Sequence, residues 1–403
     1  MSKFNIGIIR EGKIPPDNRT PLTPRQCMEL EELYPQLDIK IESAPFRCFS
    51  DEDYKKFGVE VVDFANDSDL LIGIKEVPVD KLVPGKTYMF FSHTHKKQSQ
   101  NRKLLQAILA KRITLIDFEL ITDEHNARLI GFGRWAGIVG AHHALIMLGE
   151  RTGRYKMKPA SQCLNLQEIT DQYHNLEFPP AKIVITGGGR VASGAIEVMK
   201  SAGITLVDKL DFLTKTYEKP VYTILHSHDI YYLEEGKAVD KPHFYQYPQL
   251  YKSDFKKYTR AADILINCIF WNPQQAQLFN IEDAKEEGFK TKLIADISCD
   301  IDGSVPLTIE ASSINNPVFG YYPSTGLMGK PYQPDSIDIM AVPNLPNELP
   351  RDASRDFGFI VKETLIPKLI LDPHDVLFER ATITKEGRLT PRFAYLQDYA
   401  DGE

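Results

Sequence analysis

The sequence AKIVITGGGRVASGAIEVMK, from Ala181 to Lys200, decides the fold. Its apolar run has the length of a strand, breaks into three glycines and continues with residues of helix-forming composition. The pattern therefore predicts a strand, a tight turn and a helix. Gly187 would permit the turn, Gly189 would let the backbone approach a pyrophosphate, and Ala192 falls at the Gly/Ala position of a dinucleotide-binding motif.

The start of that helix and a later acid extend the candidate nucleotide site. Arg190 and Val191 stand at the helix N-terminus, which offers backbone N–H groups to an anion. Asp208 follows a second short strand, Ile204 to Val207, and lies twenty-one residues after Gly187. That spacing suits a carboxylate that accepts hydrogen bonds from an adenosine ribose. A glycine-rich turn alone is weak, since glycines gather in many loops for steric reasons. Strand, helix and acid together favour a dinucleotide site over a purely structural turn.

The choice of cofactor depends on the same acid. Asp208 slightly favours NAD over NADP, because its negative charge would repel a 2′-phosphate. The adjacent Lys209 offsets that charge, so both cofactors stay open.

Length and composition are those of an ordinary globular chain. The 403 residues suffice for two or three domains, and 42% hydrophobic residues allow a sizeable core. The net charge of -7 argues against nucleic-acid or anionic-membrane partners, since both favour basic surfaces. No apolar run reaches about 18 residues, and the N-terminus lacks a signal-peptide pattern. We therefore expect a cytoplasmic protein.

Cysteines and histidines show no familiar metal-binding spacing. The cysteine number is odd, and no two cysteines form a C-x-x-C pair, so we expect reduced thiols and no metal. The five cysteines are Cys27, Cys48, Cys163, Cys268 and Cys299.

The first third of the chain alternates strand and helix signals, which predicts a parallel α/β domain. Polar side chains follow several of its apolar runs, where open α/β sheets place their ligands. They are Lys75 after Leu70 to Ile74, His93 after Tyr88 to Phe91 and Glu119 after Ile113 to Phe118, with Arg19 in an earlier loop.

The remaining pattern predicts an α/β protein with two Rossmann-like parallel-sheet domains. Residues 1–135 would form the first domain. Residues 136–180 would supply a linking helix and connector. The dinucleotide-binding domain would span 181–340, with an insertion at 209–260 that does not fit a minimal Rossmann unit.

Segments along nearly the whole chain resemble the superfamily of alanine dehydrogenase and lysine-forming saccharopine dehydrogenase. The resemblance is strongest to the lysine-ketoglutarate reductase domain of the bifunctional lysine-degrading enzyme. The segments that carry it are Ile6 to Glu11, Arg19 to Pro24, Ile72 to Glu76, Phe90 to Lys96, Leu115 to Glu119, Phe132 to Gly137, Ile266 to Trp271, Ala295 to Ser304 and Asn344 to Ser354.

The resemblance implies an oxidoreductase that interconverts saccharopine with L-lysine and 2-oxoglutarate. It also implies that residues 1–135, completed by 341–403, form the substrate domain, to which the C-terminal helix returns, with a cleft between the two domains. By the same resemblance, roles fall on matching positions of the sequence. Lys75 and His93 would be the acid/base pair, and Glu119 would partner the lysine. Arg19 would bind a substrate carboxylate, with Lys96 and Gln98 as polar neighbours. Asn267 and Asp296 would lie at cofactor or cleft positions, together with the glycine turn.

The chemistry of that reaction agrees with these residue types. Formation of saccharopine requires attack by an amine, loss of water and delivery of a hydride to an imine, with a proton transfer at each step. A lysine of lowered pKa and a histidine that titrates near neutrality suit these transfers. Arg19 offers a two-pronged site for one of several substrate carboxylates.

Two other functions stay open. One is a related amino-acid dehydrogenase that joins ammonia to a keto acid, as alanine dehydrogenase does. The other is a catalytically silent nucleotide-binding regulator, although such a protein would have no need of Lys75 and His93. The sequence leaves open the reaction direction and an oligomer, and fold alone would settle none of these.

Overall fold

The computed structural model describes residues 3–233, 239–372 and 374–402. The chain divides into two compact units, of which the first comprises residues 1–132 and 350–403 and the second residues 133–349. The strands are β1 (Phe4–Ile8), β2 (Leu37–Glu42), β3 (Glu60–Val62), β4 (Leu70–Ile72), β5 (Thr87–Phe90), β6 (Thr114–Asp117), β7 (Lys182–Thr186), β8 (Thr205–Leu206), β9 (Val221–Leu225), β10 (Tyr231–Leu233), β11 (Tyr251–Ser253), β12 (Ile264–Asn267), β13 (Leu293–Asp296), β14 (Val318–Tyr322), β15 (Leu327–Gly329), β16 (Ile337–Met340), β17 (Thr382–Lys385) and β18 (Arg388–Leu389).

Helices alternate with these strands, as an α/β fold requires. Short 3₁₀ turns follow several strands, including Thr94–Lys96 and Phe118–Leu120. The α-helices are α1 (Pro24–Leu33), α2 (Asp51–Lys56), α3 (Arg102–Ala110), α4 (Gly133–Thr152), α5 (Leu166–Tyr173), α6 (Arg190–Ser201), α7 (Lys209–Thr214), α8 (Ser227–Ile230), α9 (Lys241–Gln246), α10 (Lys256–Thr259), α11 (Pro350–Ile360), α12 (Ile366–Leu371), α13 (Val376–Ala381) and α14 (Gln397–Asp401).

The first unit is built on a sheet of the order β18-β17-β6-β5-β4-β1-β2-β3. Strands β1 to β6 are parallel, and β17 adds antiparallel to β6. Apolar residues are buried on both sides of the central strands, as in β4, where all three residues are buried. The helical stretch from α11 to α12, which contains one π-helical turn at Val361–Leu365, belongs to this unit, as the sequence predicts.

The second unit is built on a sheet of the order β15-β14-β16-β13-β12-β7-β9-β8. Strands β7, β8, β9, β12, β13 and β16 are parallel, and β14 and β15 add antiparallel at one edge. The two mostly parallel sheets confirm the predicted fold class. Strand β8, whose two residues are exposed, lies at the opposite edge, and β9 lies between β8 and β7.

Two parts of the second unit differ from the sequence prediction. Helix α4, predicted to be part of a connector, packs against α6 within the unit. The predicted insertion at 209–260 contributes β9, the second strand from one edge of the sheet, because Val221–Leu225 is apolar enough to be buried on both faces. The added structure begins only after this strand and includes the antiparallel pair β10 and β11.

Candidate active site

The first unit gathers its charged residues at the carboxyl ends of four neighbouring parallel strands. Glu11 follows β1, Lys75 follows β4, His93 follows β5, and Glu119 follows β6. Because β1, β4, β5 and β6 are adjacent in the sheet, these loops lie at one edge. Buried Asp117 links two of the loops, since its carboxylate accepts hydrogen bonds from the Ser92 N–H (3.0 Å) and the Glu119 N–H (2.8 Å).

Glu76 and His93 form a close pair at this edge. The His93 Nδ1 lies 2.7 Å from the Glu76 Oε1, and the Lys13 Nζ lies 3.0 Å from the Oε2. Burial raises the pKa of Glu76, but the hydrogen bond and charge of His93, with Lys13, outweigh it and lower the pKa to about 2. An ionised carboxylate only accepts hydrogen bonds, so the His93 Nδ1 carries a proton and the Nε2 is the ring nitrogen left for a second partner.

The backbone of His93 is in the left-handed region, with φ of 54°. Non-glycine residues adopt this conformation at a steric cost, and such residues gather at functional sites. The conformation places His93 at the start of the 3₁₀ turn Thr94–Lys96.

Lys75 lies half-buried beside this pair, on a loop that Glu11 holds. The carboxylate oxygens of Glu11 accept hydrogen bonds from the N–H groups of Ile74 (2.6 Å) and Lys75 (2.9 Å). Burial lowers the pKa of the Lys75 ammonium and the Arg19 charge lowers it further, against the charges of Asp17 and Glu76. Burial also raises the pKa of Glu11 to about 8. The unit thus contains a lysine that gives up its proton more readily than an exposed one.

Arg19 is buried and firmly oriented. Its guanidinium donates to the Asp17 carboxylate from Nε (2.9 Å) and Nη2 (2.5 Å), and it lies 4.1 Å above the centre of the Phe132 ring. Two contacts of this kind fix the plane of the guanidinium. The predicted contact of Arg19 with a substrate carboxylate stays a prediction, but the structure adds Asp17 as its anchor.

Glu119 is the centre of a second charged group. Its Oε1 lies 2.9 Å from the Lys96 Nζ and 2.5 Å from the Arg128 Nη2, while its Oε2 lies 3.7 Å from the His95 Nε2. Burial raises the pKa of Glu119, but Arg128, Lys96 and His93 outweigh it and lower the pKa. The sequence predicted Glu119 as the partner of Lys75. The ion pairs recorded in the structure are instead with Lys96 and Arg128.

Gln98 differs from its predicted role as a polar neighbour of the site. It is exposed, and its Oε1 accepts hydrogen bonds from the side chains of Gln100 and Asn101, which follow it in the next 3₁₀ turn. The side chain therefore stabilises its own turn. Lys96, which is also exposed, reaches Glu119.

The glycine turn after β7 has the shape that the sequence predicts. Gly187 has φ of +96°, a conformation that glycine adopts without strain. A Cβ at Gly189 would meet nothing within 4 Å, so the backbone there is open to an approaching group. Ala192 is fully buried under the start of α6. Helix α6 has twelve residues, and its N-terminal N–H groups fit the pyrophosphate of a dinucleotide.

Close packing of two helices fixes this turn. A Cβ at Gly137 of α4 would lie 1.9 Å from the carbonyl oxygen of Val191, and a Cβ at Gly194 would lie 2.0 Å from the carbonyl oxygen of Arg134. Glycine therefore lets the two backbones meet. Arg190, at the first position of α6, is exposed. Arg134, near the start of α4, pairs with Glu197 through Nε (2.9 Å) and Nη2 (2.7 Å).

The ribose contact of Asp208 stays a prediction, and the structure shows where this residue lies relative to the glycine turn. In a Rossmann sheet the ribose ligand follows the strand beside the glycine-turn strand. Asp208 follows β8, which pairs with β9 and lies one strand further out, roughly 10 Å from β7. Its exposed carboxylate caps α7 by accepting a hydrogen bond from the Leu210 N–H (2.8 Å). The sequence spacing was right for a Rossmann unit, but the neighbouring strand is β9.

Asn267 and Asp296 also differ from the prediction of cofactor contacts. Both are buried, and the Asn267 Nδ2 donates to the Asp296 Oδ1 (2.8 Å) and the Ser304 Oγ (2.8 Å). Thr186 and Thr308 donate to the other side-chain oxygens at 2.7 Å each. Burial raises the pKa of Asp296 to about 6 against these hydrogen bonds. These side chains hold the ends of β7, β12 and β13 together.

Sequence reasoning missed several groups that contact the predicted residues. Glu76 was within a quoted segment, but its pairing with His93 depends on two separate loops. His95, to which the sequence analysis assigns no role, lies near Asp117 and Glu119. The signal available for these residues was their position next to apolar runs that end at one sheet edge.

Two kinds of feature are absent from the described ranges. No group of three or more His, Cys, Asp or Glu residues in them has an arrangement that could hold a metal ion. Within the same ranges, no helix combines the length and apolar character needed to cross a membrane.

Comparison with known sequences places these features in a family. The family model "Alanine dehydrogenase/PNT, N-terminal domain" matches residues 7–139. Alpha-aminoadipic semialdehyde synthase of Arabidopsis thaliana is 31% identical over 97% of this chain and 41% of its own length. The mitochondrial enzyme of that name from Mus musculus is 28% identical over 94% and 46%. Saccharopine dehydrogenase (NAD(+), L-lysine-forming) of Emericella nidulans is 24% identical over 92% of both chains. The chain thus spans less than half the length of the first two relatives.

Solved structures show the same fold. An L-alanine dehydrogenase matches with a TM-score of 0.65 at 17% identity, covering 98% of this chain and 99% of the other. A transhydrogenase from Sinorhizobium meliloti matches with a TM-score of 0.63 at 14% identity, covering 96% and 100%.

The structure defines an α/β protein with two mostly parallel sheets. Charged residues follow the strands of the first sheet, and a glycine turn follows one strand of the second. The family model and the curated relatives support a place in the alanine dehydrogenase superfamily and, within it, similarity to the saccharopine dehydrogenase family. The resemblance found in the sequence is therefore confirmed.

Proposed function

We propose that the chain is an oxidoreductase that interconverts saccharopine with L-lysine and 2-oxoglutarate, using a nicotinamide dinucleotide. The observation that carries the proposal is Lys75 of lowered pKa beside the Glu76–His93 pair. This arrangement suits the repeated proton transfers of amine condensation. The names of the relatives support the substrate class, and the Emericella relative supports it over nearly its whole length.

The first unit supplies the groups for proton transfer. Lys75 would exchange a proton with the substrate amine, because burial and the Arg19 charge lower its pKa and make the proton easier to give up. His93, held at its Nδ1 by Glu76, would use its Nε2 to handle the proton of the departing water. The two groups share Glu76, whose charge acts on both.

Arg19 and Lys96 would bind substrate carboxylates. Saccharopine carries several of these groups, and a guanidinium held in one plane by Asp17 presents a directed donor surface. Lys96 brings a second positive charge at the same sheet edge, balanced by Glu119. We propose these contacts for the reaction, with Gln98 contributing only through its turn.

The glycine turn would hold the dinucleotide, whose nicotinamide ring supplies or accepts the hydride when bound. Gly187 and Gly189 would admit the pyrophosphate, and the N–H groups at Arg190 and Val191 would bind it. Buried Ala192 lets the helix start lie against the sheet. NAD and NADP both fit this part of the site.

One experiment tests the proposal. The absorbance of the reduced cofactor would be followed with L-lysine plus 2-oxoglutarate and, separately, with ammonia plus pyruvate, using NADH and NADPH in turn. We expect turnover with the first pair. Turnover with ammonia and pyruvate alone would establish the alanine dehydrogenase-like alternative. Nucleotide binding without turnover on either pair would support the silent regulator.

Localisation in the cytoplasm and an oligomeric state are further predictions from the sequence. Light scattering coupled to gel filtration would measure the second, and cell fractionation the first. Neither outcome bears on the residues proposed for catalysis.

A further inference from the structure

The amino ends of the strands in the first sheet border a cavity that none of the proposed catalytic groups lines. Its lining includes Phe4, Leu70, Thr87 and Thr114, which are the first residues of β1, β4, β5 and β6. The groups proposed for catalysis follow the carboxyl ends of the same strands, so the two places lie at opposite edges of one sheet. We name this space the amino-edge cavity.

The amino-edge cavity has the size and the apolar wall of a small-molecule site. Its volume is about 670 Å³, within the usual range of roughly 300–1,000 Å³. Leu70 and Ile116 line it from the sheet, and Leu369 of α12 and Phe378 of α13 line it from the helices. Leu70, Ile116 and Phe378 are buried, which gives the wall a fixed shape. An aliphatic chain against this wall would be removed from water, which favours its binding.

Five titratable side chains line the same cavity, and they include groups of both signs. Asp69 and Glu379 are acidic, Lys385 and Arg392 are basic, and His374 adds an imidazole. None of the five forms an ion pair with another described residue. Charges of both signs that line one cavity without pairing with each other are available to a ligand that itself carries both signs.

The charged residues that neighbour the lining in the sequence are mostly bound elsewhere. They are Lys3 to Asp38 (3.1 Å), Lys368 to Asp375 (2.6 Å), Lys86 to the Ser68 carbonyl (3.0 Å) and Arg380 to the Asp123 carbonyl (2.7 Å). Asp117 is bound to the loops at the opposite edge, and Glu386 lies outside the lining. The undescribed residues near this part of the sequence are Met1, Ser2 and Pro373, none of which has a charged side chain.

The strand order holds the two kinds of charge apart. Asp69 precedes β4 and Lys385 ends β17, and β5 and β6 lie between these strands. Three strand spacings separate the two backbones by roughly 14 Å. Arg392 lies in the 3₁₀ turn that packs against β17 and β18, and Asp69 is held in place by the Asn5 N–H (2.8 Å). A ligand that pairs with both ends must therefore be elongated, unlike an α-amino acid head, whose two charged groups share one carbon.

We propose that the amino-edge cavity is a second small-molecule site, and that it takes an ω-amino carboxylate, with an ammonium at one end of an aliphatic chain and a carboxylate at the other. The ammonium would pair with Asp69, and the carboxylate with Lys385 and Arg392. The chain would lie along Leu70 and Ile116. The site stands apart from the proposed reaction, because the cavity shares no lining residue with the groups proposed for catalysis.

Isothermal titration calorimetry on the whole chain tests this inference without turnover. The probes are 6-aminohexanoate, hexanoate and hexylamine, of which the last two each lack one charged end. We expect saturable binding of 6-aminohexanoate with a Kd of about 1 mM or lower, and binding of the other two that is about threefold to tenfold weaker. Absence of saturable binding by 6-aminohexanoate would overturn the site. Equal binding by hexanoate or by hexylamine would overturn the ligand class.

Two variants assign the two ends of the ligand. Asp69→Asn keeps an oxygen for the Asn5 N–H and removes the charge, so it should abolish the advantage of 6-aminohexanoate over hexanoate. The double variant Lys385→Met, Arg392→Met removes the opposite charges and should abolish the advantage over hexylamine. Wild-type affinity for 6-aminohexanoate in both variants would place its binding outside the amino-edge cavity and overturn the assignment.

Asp63→Asn and Lys103→Met are the matched controls. Each removes an exposed charge of the first unit that does not line the cavity. Both should leave all three affinities within about twofold of the wild type, as surface substitutions usually do. A loss in the controls as large as in the cavity variants would show a general effect of net charge, and it would overturn the assignment of the two ends.

Discussion

The two sheets of the molecule differ in the positions of two strands. Residue positions at the strand ends could be predicted from sequence order in the first sheet but not in the second. In the first sheet the order β3-β2-β1-β4-β5-β6 follows the chain as in a regular doubly wound unit. In the second sheet the corresponding order begins β8-β9-β7, so the second and third strands are exchanged. Regular order brought Lys75, His93 and Glu119 to one edge. The exchange moved Asp208 away from the glycine turn.

The exchange has a simple physical cause. A strand such as β9, which has a neighbour on each side in a parallel sheet, is covered on both faces and needs apolar residues throughout. Val221–Leu225 meets this requirement, with four of its five residues buried. Thr205–Leu206 has only two residues, both exposed, and is suited to an edge.

The largest effect should come from the regular sheet. Lys75→Met and His93→Gln should each lower kcat by about 10²–10⁴, the usual contribution of one acid/base group. Nucleotide affinity should hardly change, since both residues belong to the unit without the glycine turn. Steady-state kinetics with lysine and 2-oxoglutarate measure the effect, and the double variant should lose less than the product of the single losses.

The control for these variants is Lys55→Met, which removes an exposed lysine of the same unit. It should keep kcat within about twofold of the wild type, as surface substitutions usually do. A Lys75→Met enzyme with near-wild-type kcat would refute the acid/base assignment.

The second largest effect should appear in the second unit, whose sheet has the exchanged strand order. Gly137→Ala places a Cβ 1.9 Å from the Val191 carbonyl oxygen, where only backbone movement can make room. We expect a loss of about 3 kcal/mol or more in the free energy of unfolding, the upper range for overpacking. Nucleotide binding should weaken as well, because Val191 lies in the first turn of α6, next to the glycine turn. Urea denaturation and calorimetry measure the two effects.

Gly131→Ala is the matched control for that substitution. A Cβ there would lie 3.6 Å from the Arg128 Cδ, an ordinary contact, so stability should stay within about 0.5 kcal/mol. Equal stabilities of the two variants would show that α4 does not constrain the turn.

A smaller effect concerns the pH dependence of the first unit. Because the pKa of Glu76 is lowered to about 2 in the folded state, its ionised form adds stability above the ordinary value of 4.5, and this contribution is lost as the pH falls through 2. We expect Glu76→Gln to cost about 1–3 kcal/mol at pH 7. The difference from wild type should shrink between pH 4.5 and 2 in urea titrations. A difference that is constant over this range would exclude the ion pair as its cause.

The smallest effect should come from Asp208, at the displaced edge strand. Asp208→Ser retains a capping oxygen for the Leu210 N–H, so Tm should hardly change, whereas Asp208→Ala should lower Tm slightly. Differential scanning calorimetry distinguishes the two. A large loss in either variant would mean that Asp208 has contacts beyond its cap.

Local patterns predicted much of the molecule correctly. The strand, glycine turn and helix around Gly187 were found because apolar runs and glycine have strong local preferences. Lys75 and His93 were expected at one edge because parallel strands end there whatever lies between them, and their catalytic roles stay a prediction. The pairing of His93 with Glu76 and of Arg19 with Asp17 needed side-chain directions that no spacing gives.

The sequence by itself determined the α/β class, the glycine turn, the family and the candidate acid/base residues, because each depends on local composition or on a run of matching residues. Only the tertiary structure decided that β9 lies beside β7, that Asn267 and Asp296 bond each other, and that His226 borders the glycines. The physical reason is that the position of a strand in the sheet depends on how apolar its two faces are compared with those of the other strands. These strands are far apart in the chain, so spacing along the sequence does not predict their order in the sheet.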